Sequence, residues 1–98
     1  MGKYGSIADF LASATPGKVG KKSRQYEKTG GFNQANQDFD KLVEDLGGTP
    51  PKSQGNGIRS TKLPDDTSIS VRPDITTDKP TIQIDIPGRK TIKVRYND

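Results

Sequence analysis

Apolar residues along this chain change their period once: within residues 6–13 and 33–46 they recur at helical spacing, and from Ile58 onward at every second position. The stretch SIADFLAS predicts a short helix, with Ser6 as N-cap, Asp9 three residues on, and Ile7, Phe10 and Leu11 on one face. Thr15-Pro16-Gly17 ends it. Residues 17–31 carry Lys18, Lys21, Lys22, Arg24 and Lys28 with almost no apolar periodicity, and predict a flexible or loosely docked basic linker. A second, stronger helix follows from Asn33: Ala35, Phe39, Leu42, Val43 and Leu46 make one stripe, and Gly47-Gly48 supplies its stop.

Beyond a Pro- and Gly-marked loop the alternation predicts strands. GIRSTKL is a weak first strand, Pro64-Asp65-Asp66 a turn, and TSISVR a second strand that Pro73 ends. A third places Ile82, Ile84 and Ile86 on one face, and a fourth places Ile92, Val94 and Tyr96 there, with Pro87-Gly88 suited to a type II turn between them. The expected fold is α+β: N-terminal helices packed on one face of a roughly four-stranded antiparallel meander. Residues 1–31 are expected as an entry segment of short helix and linker, and 32–98 as the helix-plus-sheet domain.

Composition narrows the chemistry. At 98 residues with 28% hydrophobic side chains the core is modest, and the absence of cysteine excludes disulfides and thiolate metal sites. No apolar run approaches the roughly 20 residues of a membrane span, and the N-terminus lacks the layout of a secretory signal, so the chain as given is expected to be soluble. With no histidine, Ser-His-Asp and Cys-His sets are excluded, and no Walker loop, dinucleotide fingerprint or calcium loop is present. Neither a metal nor another cofactor is expected. Sixteen basic against twelve acidic residues give a net charge of +4, which favours a polyanionic partner such as RNA or DNA.

The face opposite the apolar one would carry Ser68, Ser70 and Arg72, then Thr81, Gln83 and Asp85, then Thr91, Lys93 and Arg95. Two readings stand. Antiparallel sheets commonly leave one side in water, dressed with Thr, Lys and Arg. Alternatively, Arg72, Lys93 and Arg95 converge to hold a phosphodiester, with guanidinium groups gripping phosphate bidentately. The basic stretch Lys18, Lys21, Lys22 and Arg24, with Thr77, Gln83 and Arg89, would then bind RNA by displacing counterions and by hydrogen bonding. Asp65, Asp66, Asp74, Asp78 and Asp85 are scattered through turns and strands, and turn chemistry explains most of them. Tyr26, Phe32 and Tyr96 fit core or hinge packing better than base stacking.

Residues 33–96 resemble the small toxin domains at the C-terminal ends of bacterial contact-dependent inhibition proteins and related polymorphic toxins. The likeness lies in "FD.L" at Phe39-Asp40-Lys41-Leu42, "LPDD" at 63–66, "VRP" at 71–73, "PT" at 80–81 and the closing "VRY" at 94–96. Asp66 stands where the pattern has Gly, and Asp74 and Ile75 where small polar residues are usual. Such domains are similar to the fold group of barnase, EndoU-like enzymes and colicin ribonucleases, in which the exposed sheet face cleaves RNA, frequently tRNA. The resemblance points to Arg72, to Thr76, Thr77 and Lys79 in the polar loop, to Thr81, and to Lys93 and Arg95.

It implies cleavage by attack of the substrate's own 2′-hydroxyl, without metal. Arg72, Lys93 and Arg95 would stabilise the phosphorane, Asp74 or Asp85 would serve as base, and Lys79 or Lys93 would protonate the leaving oxygen. It further implies delivery as part of a larger secreted or cell-surface toxin, action in the target-cell cytoplasm, and an acidic cognate immunity protein. The competing expectations are a non-catalytic RNA-binding module and a structural or adhesion domain.

Overall fold

The computed structural model describes residues 4–76 and 78–97. Two helices, α1 (Ile7–Leu11) and α2 (Gly31–Leu46), accompany seven strands: β1 (Thr15–Val19), β2 (Ser23–Thr29), β3 (Lys52–Gly55), β4 (Ile58–Lys62), β5 (Ser68–Arg72), β6 (Thr81–Asp85) and β7 (Thr91–Asn97). The strands form one sheet in the order β1-β2-β7-β6-β5-β4-β3. All neighbours are antiparallel except β2 and β7, which run parallel from Ser23↔Thr91 to Thr29↔Asn97.

This corrects the expected architecture. The molecule is mostly sheet, seven-stranded and mixed, with one long helix, and not a pair of N-terminal helices on four antiparallel strands. The added strands are β1, β2 and β3. The segment expected as a basic linker is a hairpin whose second strand hydrogen-bonds along the whole of β7. Its side chains hid it: β1 is exposed at every position and β2 has a single apolar residue, Tyr26, so neither shows an apolar alternation. Backbone pairing, which sequence periodicity does not report, holds them in place.

The predicted meander is present in β4 to β7, and its apolar positions face α2. Phe39 and Leu42 of α2 are fully buried against Ile69, Val71, Ile82, Ile84 and Val94. Ser6 caps α1, accepting from Asp9 N, and Phe10 is buried. The turn at Pro87-Gly88 closes with Arg89 N donating to Ile86 O at 3.0 Å, and Gly88 takes φ +75°, as the third position of a type II turn requires.

One polar cluster lies within this layer. Asp38 on α2 is buried; Tyr96 Oη donates to its Oδ2 at 2.6 Å, Gln34 Nε2 donates to its Oδ1 at 3.0 Å, and Lys28 Nζ of β2 lies 2.8 Å from Oδ2. Lys28 also stands 5.1 Å over the Phe10 ring. Burial, and then the Asp38 carboxylate it donates to, push the Tyr96 hydroxyl pKa far above its ordinary value, so it remains a donor. The cluster ties β2, α2 and β7 together through one carboxylate.

Candidate functional site

Cross-strand register arranges the open face of the sheet in rows. One row runs Arg72, Thr81, Arg95, Glu27; the next runs Ser70, Gln83, Lys93, Gln25. Strands β5 and β7 thus bring three cations, Arg72, Arg95 and Lys93, into two adjacent rows, as alternation along each strand requires.

The two arginines meet on a carboxylate that strand periodicity could not place. Arg72 Nη2 donates to Asp78 Oδ2 at 2.8 Å, and Arg95 Nε donates to Asp78 Oδ1 at 2.7 Å. Lys79 N adds a bond to Oδ1 at 2.9 Å, and Arg95 Nη1 donates to Gln25 Oε1. The Arg95 hydrogen bond, opposed by partial desolvation and helped by the Lys79 amide and both guanidinium charges, holds the Asp78 carboxyl below its ordinary value. Arg72 Nε is buried and has no hydrogen-bond partner among the described residues. Asp78 is held here by a backbone bridge to Ile75, the two residues' N–H groups donating to each other's carbonyls at 3.0 and 3.2 Å.

An open cleft of about 510 Å³ borders the cluster, lined by Phe32, Asp74, Ile75, Thr76, Asp78, Lys79, Pro80 and Tyr96. It puts Asp74, Thr76 and Lys79, all exposed, beside Asp78. Thr77 lies outside the described residues. Thr81 differs from expectation: it stands in the row between the two arginines but is buried, and its hydroxyl donates to Lys79 O at 2.8 Å, so it props the loop and presents nothing to a ligand. Lys93 stays on the open face between Gln83 and Gln25, without an ion pair among the described residues. Gln83 donates to Asp85 Oδ2 at 3.1 Å, and Asp85 also accepts from Thr91 Oγ1 at 2.8 Å. Asp85 lies at the far end of β6 from Thr81, about 13 Å away at strand spacing, and cannot act on a group held by Arg72 and Arg95.

Five of the residues expected to bind RNA are elsewhere. Lys18 lies on β1, Lys21 and Lys22 in the β1–β2 turn, and Arg89 in the β6–β7 turn, all exposed. Arg24 pairs in register with Ile92 and so projects on the helix side of the sheet, opposite the arginine row. Conversely, Gln25 and Asp78 belong to the site without having been singled out. Gln25 lies in a stretch without apolar periodicity, and Asp78 has the sequence context of a turn acid. The one signal pointing to Asp78 is that it lies in the loop joining two strands whose ends carry Arg72 and Thr81.

Among the described residues no group of three or more His, Cys, Asp or Glu is arranged to hold a metal ion, and no helix is long and apolar enough to cross a membrane. Compared with family models, with curated proteins and with solved structures, the chain returns no match.

Proposed function

We propose that the open sheet face around Arg72, Arg95 and Lys93 is a phosphodiester site and that the chain is a metal-independent endoribonuclease, with tRNA as the leading substrate. The observation that carries this reading is the convergence of two guanidinium groups from β5 and β7 on one carboxylate at the rim of a cleft. A carboxylate flanked by two arginines, with a lysine one row away, offers a base, charge stabilisation and a proton donor for 2′-hydroxyl attack without histidine.

In this mechanism Asp78 replaces Asp74 and Asp85 as the base. It takes the proton from the 2′-hydroxyl as that oxygen bonds to phosphorus; the guanidinium groups stabilise charge on the non-bridging oxygens; Lys93 or Lys79 protonates the departing 5′-oxygen, leaving a 2′,3′-cyclic phosphate. A depressed pKa makes Asp78 a weak base but keeps it ionised across the neutral range. The wider setting rests on the sequence resemblance alone: a toxin delivered by a larger secreted or surface protein, acting in a target-cell cytoplasm and restrained by an acidic immunity protein.

A second reading, a non-catalytic RNA-binding module, draws on the same contacts, because Asp78 already neutralises part of the charge that would stabilise a transition state. Incubating the purified chain with bacterial tRNA in EDTA separates them. Discrete fragments ending in cyclic phosphate, lost in Arg95→Ala and Asp78→Asn, support the nuclease. A gel shift without cleavage supports the binding module, and intact, unshifted RNA rejects both.

A further inference from the structure

The helix layer does not cover the whole apolar face. At the end of the sheet where β1 turns into β2 and β6 into β7, a groove of about 460 Å³ opens between α1 and the strands. Its apolar surface comes from Ile7 and Leu11 of α1, and from Ile86 and Ile92 beneath. Val19 forms a wall and is 61% exposed, one of two large apolar side chains so exposed among the described residues.

Cations ring this groove. Arg24, Arg89 and Lys90 line it, and Lys21 and Lys22 lie in the adjoining turn, which Thr91 N clamps to the second hairpin by donating to Lys22 O at 3.1 Å. Among the described residues none of these five forms an ion pair. The contrast with the opposite face is sharp: there Arg72 and Arg95 are both engaged by Asp78.

An apolar trough rimmed by uncompensated cations has a definite complement. We infer that this groove is a docking site for an acidic amphipathic segment of a partner protein, which places aliphatic or aromatic side chains on Ile7, Leu11, Ile86 and Ile92 and carboxylates against Arg24, Arg89 and Lys90. A nucleic-acid backbone would satisfy the rim and leave the trough wet, since it offers no aliphatic side chains; charge together with exposed apolar surface selects a peptide. The site is on the helix side of the sheet and is independent of the ribonuclease reading, because its rim residues contribute nothing to the arginine row.

The test uses the full chain and two fluorescent peptides of equal length and charge: one with leucines at helical spacing among glutamates, the other with those leucines replaced by serine. The leucine peptide is expected to bind, its affinity to fall about tenfold or more in Arg89→Glu/Lys90→Glu and in Val19→Asp, and to be unchanged in Arg95→Ala. These substituted groove residues are exposed, so circular dichroism of each variant is expected to match the parent. Equal binding of both peptides, or no binding of either, overturns the proposal. So does tRNA binding that is lost in the Arg89→Glu/Lys90→Glu variant, which assigns the rim to phosphate, or binding of phosphatidylserine vesicles lost in Val19→Asp, which assigns the groove to a lipid surface.

Discussion

Asp78 is one carboxylate serving two arginines, and its ionisation is therefore linked to folding. Its pKa in the folded chain is below the ordinary 3.8, so the stabilisation it supplies is complete above that value and is lost as pH falls through the lower native one. Asp78→Asn is expected to lower the urea midpoint at pH 7 by the equivalent of about 1 kcal/mol, the pair being partly exposed, with the difference from the parent narrowing below pH 4. A pH-independent difference would show that packing and not charge holds the loop. The same residue marks how far the site was legible. Arg72, Lys93 and Arg95 could be assigned to a shared face because strand alternation fixes where side chains point. A loop residue has no such period, so the place of Asp78 follows only from its backbone bridge to Ile75, and the burial of Thr81 from its bond to Lys79 O.

At the scale of elements, α2 and the strands from β4 onward follow their apolar period, whereas the β1–β2 hairpin is held by its partners. It is joined to the start of α2 at Gly30, which has φ +105° and whose N–H donates to Asn97 O at 2.8 Å. A Cβ there would lie 2.5 Å from Gln34 Cβ. Gly30→Ala combines backbone strain with this clash and is expected to cost about 2–3 kcal/mol in chemical denaturation; a loss under about 0.5 kcal/mol would mean that the β2–α2 junction rearranges freely. The strand itself was illegible because SRQYEKT offers polar atoms to both faces, and its helix-side cation Lys28 acquires meaning only once Asp38 of α2 is seen beneath it.

For the whole molecule, that ion pair decides whether the first 31 residues are separable. A fragment of residues 32–98 would keep α2 and five strands but would bare the β7 edge and leave Asp38, 5% exposed, without its lysine. Breaking a buried pair costs about 3–5 kcal/mol, a large part of the stability of a domain this size. The fragment is expected to lack a cooperative thermal transition by circular dichroism; a sharp transition near that of the full chain would show the hairpin to be accessory. The parallel pairing of β2 with β7 also sets an order of events. Gln25 and Arg95, joined across it, are 70 residues apart in the chain. During synthesis β2 emerges early and must wait, with β1 as its one strand partner, until the segment from Thr91 has left the ribosome. Before then β6 lacks its neighbour on one side and β2 is paired with β1 alone, so a translation product stopped short of β7 is a species with two further open backbone edges, prone to self-association rather than merely less stable.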